Sequence, residues 1–207
     1  ACWAVNLKPA RDHPEVVWDK LMKEVGGGRM EGLFVDWPMP TLRISLIGVV
    51  PKKESGAFHL IQHLSLPEGG SVNDFIAEDL VSVTYASVEV AIRLVWQAGV
   101  GAFMAKTDIK SAFCLLLVHP DDFELLGIHF GGCFFVDKAL SMGCSISCAL
   151  FKLFSSFLQW LFVTRTGAEA VMHYLDDFLL VALDAECYAR MLHDFREVME
   201  DLGVPLA

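Results

Sequence analysis

The chain has 207 residues, 54% of them apolar, and a formal net charge of −10 at pH 7. That charge counts against a uniformly basic nucleic-acid-binding surface, although Arg43, Lys52 and Lys53 cluster in the amino-terminal part. The six cysteines have no Cys-x-x-Cys spacing and no signal peptide precedes them. This argues against a zinc module or a disulfide-stapled secreted domain and predicts an intracellular location, in the cytoplasm or the nucleus.

Helices and strands alternate along the chain in an order typical of an α+β fold. Pro14 opens a predicted helix, residues 14–25, that Gly26-Gly27-Gly28 ends. The further predicted elements are strand 44–50, strand 58–64, helix 87–98, strand 102–108, strand 123–130, strand 133–137, helix 145–163, strand 170–175, strand 178–183 and helix 184–202. Asp184 is the candidate N-cap of the last helix. This order predicts an antiparallel sheet with helices on one face.

The apolar fraction exceeds the roughly 45–50% of ordinary globular chains. We therefore expect neighbouring domains that cover apolar surface, and we interpret the chain as a fragment of a longer polyprotein. The longest apolar stretch, residues 149–163, carries polar residues such as Lys152 and Gln159. It predicts a buried amphipathic helix rather than a membrane span, so no membrane partner is expected.

Two adjacent carboxylates, Asp176 and Asp177, separate two apolar runs. Since Asp tolerates the positive φ angles of tight turns, we predict a β-hairpin whose turn is Asp176-Asp177. A third carboxylate, Asp108, ends an apolar run that reads as a central strand. If the three converge, each like-charged pair near 4 Å costs roughly 4 kcal/mol at an effective dielectric of about 20. A divalent cation removes that penalty.

Three motifs occur in a fixed order: Asp108-x-x-x-Ala112-Phe113, Leu140-Ser141-Met142-Gly143 and Tyr174-Leu175-Asp176-Asp177. Together they resemble the palm motifs of reverse transcriptases. The likeness extends over nearly the whole chain. The segments Asn6-Leu7-Lys8, Gly48-Val49-Val50-Pro51-Lys52-Lys53, His63-Leu64-Ser65, Ser71-Val72-Asn73-Asp74, Val118-His119-Pro120 and Met142-Gly143-Cys144-Ser145 resemble the polymerase of DIRS-type retrotransposons.

The resemblance implies a right-hand polymerase with fingers, an antiparallel palm sheet backed by helices, and no thumb. It places the fingers at residues 1–85 and 118–144 and the palm at residues 86–117 and 145–207. The implied activity is RNA-directed DNA synthesis, in which two Mg²⁺ ions, with Mn²⁺ as a substitute, support transfer of dNTPs onto a primer 3′-hydroxyl. The implied partners are an RNA or DNA template, a DNA primer, and the thumb and RNase H domains of the parent polyprotein.

Site roles follow from the same likeness. Asp108 and Asp176 are the expected bridging metal ligands, with the Ile109 carbonyl as a backbone ligand and Asp177 as a supporting carboxylate. Phe113 is the expected steric gate against a ribose 2′-hydroxyl. The remaining expected contacts are Lys52 and Lys53 with the triphosphate, Met142 and Gly143 with the nucleotide or template, and Tyr174 beneath the primer end.

The chain departs from the related polymerases at five positions: His59 and Cys114 replace an expected Arg, and Leu33, Leu46 and Ser141 replace an expected Pro. This pattern supports an alternative hypothesis, a catalytically inactive, decaying element copy that keeps the fold and nucleic-acid binding. Two further alternatives are an RNA-templated RNA polymerase, which often has Gly-Asp-Asp in place of Leu175-Asp176-Asp177, and an unrelated metal hydrolase. Phe113 argues against the first, and the lack of a His or Cys ligand cluster beside the acids argues against the second.

Overall fold

A computed structural model describes residues 5–52 and 57–207. Its elements are α1 (Lys8–Asp12), α2 (Pro14–Gly26), β1 (Met30–Phe34), β2 (Ile44–Pro51), β3 (Phe58–His63), α3 (Glu78–Val81), α4 (Val88–Ala98), β4 (Phe103–Asp108), β5 (Gly127–Phe130), β6 (Cys133–Asp137), α5 (Ser147–Thr166), β7 (Val171–Tyr174), β8 (Asp177–Ala182) and α6 (Ala185–Asp201). Both sheets and helices are well represented, so the fold is α+β, as predicted.

The chain forms two compact units. The first unit comprises Ala1–Val81 with Phe113–Ser147, and the second comprises Ser82–Ala112 with Cys148–Ala207. The sequence prediction instead divides the chain after residues 85, 117 and 144. The identification of the first unit as fingers and the second as palm stays a prediction.

The first unit is built on a five-stranded sheet in the order β1-β6-β5-β2-β3. Its pairs are antiparallel except β2 with β5, which run parallel. The two-residue turn between β5 and β6 uses Gly131 and Gly132, whose φ angles of 59° and 79° are those of a type I′ hairpin turn. Helices α1 and α2 cover this sheet through buried side chains, namely Ala10, Val17, Leu21, Ile47, Ile128 and Phe135.

One strand of the first unit is shorter than predicted. Residues 123–125 belong to a 3₁₀ helix, Pro120–Leu125, Leu126 is its C-cap, and only Gly127–Phe130 is extended. Pro120 supplies a φ suited to a helix start, and His119 caps that start by accepting a hydrogen bond from the Asp121 backbone N–H at 3.3 Å. Local helix-start chemistry therefore overrides the apolar pattern. Strand β1 was not predicted at all.

The second unit contains a three-stranded antiparallel sheet in the order β4-β8-β7. Phe178 on β8 is fully buried and packs against Phe195 of α6, with ring centroids 5.2 Å apart, and Phe195 in turn packs edge-on against Phe162 of α5 at the same distance. Asp184 caps α6 as predicted, because its carboxylate accepts a hydrogen bond from the Cys187 N–H at 2.8 Å. The prediction that Asp108 ends a central strand is wrong in one respect: β4 is an edge strand and β8 lies in the middle.

Helix α5 is amphipathic but only partly buried. Phe151, Ser155, Leu158 and Phe162 face the interior of the protein, whereas Leu153, Phe157 and Trp160 are exposed. The prediction of a buried helix thus holds for one face. By length and composition alone α5 could cross a membrane, and 28% of its most apolar window is buried. Its buried face packs as the face of a core helix does.

Candidate metal and nucleotide site

The acidic hairpin has its turn one residue earlier than predicted. Tyr174 pairs with Asp177, so the two turn residues are Leu175 and Asp176, and Asp177 is the first residue of β8. Leu175 has a φ of 52°, the positive value that a type II′ turn requires at its first central position. The register is fixed by packing instead of turn preference, because buried Val171 and His173 lie opposite buried Leu180 and Phe178.

Asp108 and Asp177 are direct neighbours across the β4–β8 ladder. The flanking bond, from the Ile109 N–H to the Asp176 carbonyl at 3.0 Å, identifies them as a non-hydrogen-bonded pair. In such pairs the side chains approach most closely, with Cβ atoms about 4.5–5.5 Å apart. Asp176 precedes Asp177 in the chain and lies in the adjoining turn. The fold therefore brings three carboxylates, from two segments far apart in the chain, to one end of the sheet.

Like charges dominate this end of the sheet. The pKa of Asp108 is raised above its usual value, first by burial of the half-buried carboxyl and then by the negative charges of Asp176 and Asp177. Lys106 opposes these effects. A carboxylate set of this kind fits Mg²⁺, which prefers oxygen ligands and is usually bound through one or two carboxylates together with water and substrate phosphates.

Lys106 is a site residue that the sequence prediction missed. Its ammonium Nζ lies 3.1 Å from a carboxylate oxygen of Asp177. Lys106 and Asp108 are two residues apart on one strand and so share a face, which makes Asp177 a diagonal cross-strand neighbour of Lys106. The ion pair and the surrounding acids raise the pKa of Lys106. The Lys-x-Asp spacing places Lys106 and Asp108 on one face of the strand. It indicates a contact between Lys106 and Asp177 only when the β4–β8 register is known.

Among the described residues, the three carboxylates are not the tightest group of side chains that could hold a metal. Within residues 5–52 and 57–207, the one group of three His, Cys, Asp or Glu side chains whose ligand atoms all lie within 4.8 Å of one another is His193, Asp194 and Glu197 on α6. Asp108, Asp176 and Asp177 do not all lie within that distance of one another, and an oxygen of Asp177 contacts Lys106 instead.

The carboxyl-terminal segment braces the strand end that carries Asp108. The Ala207 N–H donates to the Asp108 carbonyl at 2.8 Å, and the Lys110 N–H donates to the Pro205 carbonyl at 2.9 Å. Between these bonds Ile109 is 1% exposed and forms an isolated bridge with Leu206. The peptide groups before and after Ile109, the second of which contains its carbonyl, are therefore held in place by hydrogen bonds. Its role as a backbone metal ligand stays a prediction.

Tyr174 lies on the same hairpin and is half exposed. Its ring packs on that of Tyr85, with centroids 4.8 Å apart. Burial and then the neighbouring Cys148 thiol raise the pKa of Tyr85. The Tyr85 ring thus supports one side of the Tyr174 ring. The sequence offered no signal for Tyr85 as its partner.

The other predicted site residues belong to the first unit. Gly143 lies so close to β3 that an added Cβ would be 1.6 Å from the Gln62 carbonyl oxygen. Glycine at 143 thus serves a contact between main chains, whereas Met142 beside it is half exposed. Phe113 lies in a 3₁₀ helix, Ala112–Leu115. Lys52 is exposed just after β2, and Lys53 lies outside the described residues.

Asn73 holds the loop that contains Gly143, and the sequence prediction assigned it no role. Its amide nitrogen donates to the Gly143 carbonyl at 3.0 Å and to the Ser65 hydroxyl at 2.8 Å. Its amide oxygen accepts from the Ser145 N–H at 2.9 Å. Both ends of one amide are used, so the loop has a defined conformation.

Comparison with solved structures identifies the fold. The foamy viral protease-reverse transcriptase in complex with double-stranded DNA matches with a TM-score of 0.73 and 15% identity, over 100% of this chain and 32% of that one. The native prototype foamy virus enzyme matches with a TM-score of 0.67 and 17% identity, and a mutant of it with 0.68 and 18%; each match covers 100% of this chain and 24% of the other.

The chain spans a third or less of the length of these proteins. No protein-family model and no curated protein sequence matches it. At identities this low the likeness concerns the fold alone. The chain therefore has an α+β fold similar to that of part of these protease-reverse transcriptases.

Proposed function

We propose that the chain is the RNA-directed DNA polymerase domain of a DIRS-type retrotransposon polyprotein. The observation that supports this most is the convergence of Asp108, Asp176 and Asp177 at one sheet end, within a reverse-transcriptase-like fold. The motifs in which these acids stand are those that resemble the palm of DIRS-type polymerases. The template is RNA or DNA, the primer is DNA, and the thumb and RNase H activity come from other parts of the parent polyprotein.

Asp108 and Asp176 are the residues that would hold two Mg²⁺ ions, with Asp177 in support and the Ile109 carbonyl as a further ligand. When bound, such a metal pair activates the primer 3′-hydroxyl and neutralises the charge of the leaving pyrophosphate. The protein contributes a preorganised cluster, because the β4–β8 ladder and the brace from residues 205–207 fix the main chain around these side chains.

The other residues that the resemblance indicates would select the nucleotide. Phe113 would exclude a ribose 2′-hydroxyl by steric contact, while Lys52 and Lys53 would attract the triphosphate by charge. Met142 and Gly143 would shape the surface that meets the base pair, in a loop that Asn73 keeps in one conformation. Tyr174, held by Tyr85, would support the primer end.

The test is primer extension by the full chain on an RNA template with a labelled dNTP. We expect extension that requires Mg²⁺ or Mn²⁺, and a loss of at least about a hundredfold in Asp108→Asn and Asp176→Asn, since removing one preorganised electrostatic group typically costs about 10²–10³ in rate. Phe113→Ala should admit ribonucleotides. Extension that survives both Asp substitutions would reject the proposed site.

One observation favours the second candidate, a catalytically inactive remnant. His59 stands where related polymerases carry Arg, and burial together with the charges of Lys52 and Lys20 lowers its pKa. His59 is therefore neutral at pH 7 and lacks the permanent charge with which Arg contacts phosphate. A chain that binds a template–primer duplex but gives no extension, even with the thumb supplied, would support the remnant.

A further inference from the structure

We propose that Lys106 is the built-in counter-ion of the acidic cluster, which a divalent cation must displace from Asp177, so that Lys106 weakens metal binding and sets the metal concentration the site requires. This inference rests on the proposed metal site at Asp108, Asp176 and Asp177. It adds a residue that is not a ligand but that regulates how readily the ligands accept an ion.

The Lys106 ammonium already contacts the Asp177 carboxylate. The Lys106 ammonium lies 3.1 Å from an Asp177 oxygen, which is the distance of a charge-assisted hydrogen bond. A cation that binds the same oxygen would have to share it with the ammonium. Since Asp177 is the carboxylate that faces Asp108 directly across the ladder, the pair holds in place the acid that a metal would draw toward Asp108.

The ion pair between Lys106 and Asp177 is exposed to solvent. The Lys106 and Asp177 side chains are 67% and 41% exposed, so the ammonium can leave into water without unfolding any part of the sheet. An exposed pair of this kind is worth little on its own. The ammonium is therefore a weak competitor that a divalent ion can displace, in contrast to a buried lysine that would block the site.

A second role for Lys106 needs a separate readout. β4 is an edge strand, and lysine on an edge strand commonly prevents two sheets from pairing edge to edge. That role concerns self-association and predicts no change in metal affinity. Lys106→Gln removes the charge but keeps a polar side chain on the edge, and its oligomeric state is checked by light scattering.

The experiment measures Mn²⁺ binding to the full chain by the electron paramagnetic resonance signal of free Mn²⁺, at low ionic strength and without nucleotide or template. A His193→Gln background removes the other cluster, on α6, that could hold Mn²⁺. Asp176→Asn in the same background identifies the ions bound at the acidic cluster. Circular dichroism verifies that each variant is folded.

We expect Lys106→Gln to bind Mn²⁺ about three- to thirty-fold more tightly than the unsubstituted chain. The upper limit of about thirtyfold is the Coulomb repulsion between a divalent ion and an ammonium about 4 Å apart in water. Lys106→Arg keeps the charge and should match the unsubstituted chain within about twofold on the same Coulomb argument. Lys110→Gln is the matched control, because Lys110 is also two residues from Asp108 yet takes part in no ion pair found between described residues.

Unchanged or weaker Mn²⁺ binding in Lys106→Gln, with normal binding in the unsubstituted chain, would overturn the role of Lys106 and leave the metal site standing. An equal gain in Lys110→Gln would also overturn it, since the effect would then be one of net charge. If the unsubstituted chain binds no Mn²⁺ that Asp176→Asn abolishes, the metal site itself fails, and the counter-ion role fails with it.

Discussion

Asp108 and Asp177 face each other across the β4–β8 ladder as a non-hydrogen-bonded pair, the arrangement in which two side chains on neighbouring strands come closest. Two like charges in this position oppose folding, and burial, followed by the charges of Asp176 and Asp177, raises the pKa of Asp108. A protein keeps such a pair where the charges serve a purpose, and strain at a sheet end is typical of functional sites.

Neutralising Asp108 should therefore stabilise the protein while it abolishes the proposed activity. We expect Asp108→Asn to raise the free energy of unfolding in EDTA by about 1 kcal/mol, the size of one like-charge contact near 4 Å in a water-like medium. Urea denaturation at pH 7 measures this. Asp36→Asn, at an exposed position, is the control and should change the free energy of unfolding by less than about 0.5 kcal/mol. A destabilised Asp108→Asn variant would show that Asp108 has a structural role.

The hairpin turn offers a second prediction. Leu175 adopts a φ of 52°, which costs an L-residue with a side chain roughly 1–2 kcal/mol and costs glycine nothing. Leu175→Gly should raise the free energy of unfolding by up to about 1 kcal/mol, because the greater flexibility of glycine in the unfolded chain offsets part of the gain. Leu175→Ala is the control, because it removes the leucine side chain beyond Cβ but keeps the strained φ angle. A Gly variant less stable than the Ala variant would contradict the assigned turn.

Gly143 should tolerate no side chain. A Cβ at this position would lie 1.6 Å from the Gln62 carbonyl oxygen, a main-chain atom that cannot rotate away. We expect Gly143→Ala to lower the free energy of unfolding by on the order of 3 kcal/mol, as overpacking against main chain does. Gly26→Ala is the matched control, since nothing lies within 4 Å of its added Cβ. Equal stability of the two variants would show that the 141–145 loop does not approach β3.

His173 should make stability depend on pH. It is 6% exposed, and its Nδ1 lies 2.6 Å from the Gln159 side-chain oxygen. Burial and the charge of Lys152 lower the pKa of His173 from 6.5 to about 4. The unfolded chain thus binds a proton at a higher pH than the folded one, so the contribution is fully present above pH 6.5 and is lost as pH falls toward 4. Its size is at most about 3 kcal/mol.

The measurement is the difference in the free energy of unfolding between the unsubstituted chain and His173→Asn, followed from pH 7 to pH 4. Taking the difference removes other titrating groups, above all Asp137, whose pKa is raised to about 6 by burial and whose contribution has the opposite slope. We expect the advantage of the unsubstituted chain to shrink as the pH falls. An advantage that stays constant would mean that His173 is accessible to protons in the folded state.

The sequence predicted those elements whose signals are local. The helix that follows Asp184 begins and ends where its cap and Gly203 indicate, and the β2–β3 pair matches its apolar runs within a residue. Strand β1 escaped prediction because its partner, β6, is about a hundred residues away and its own sequence, Met-Glu-Gly-Leu-Phe, has a weak pattern. Its bulge places Leu33 at a φ of 64°, an angle that the proline expected there could not adopt.

Site residues with local signals could be predicted from the sequence, and those that depend on distant contacts could not. The acids could be proposed from their positions beside apolar runs, and Gly143 from the resemblance to reverse transcriptases. Lys106, Tyr85 and Asn73 could not, since their importance arises from strand register, ring packing and amide bonds between distant segments. The one-residue error in the turn has the same origin: opposed buried residues on β7 and β8 outweighed the preference of Asp for the turn.

The most direct test of the account is the anomalous diffraction of Mn²⁺ in crystals of the full chain. We predict Mn²⁺ bound jointly by the carboxylates of Asp108 and Asp176, with Lys106 displaced from Asp177. Mn²⁺ found only at His193, Asp194 and Glu197, or held by a single member of the acidic cluster, would contradict the claim that the β4 end and the β7–β8 turn form one metal site.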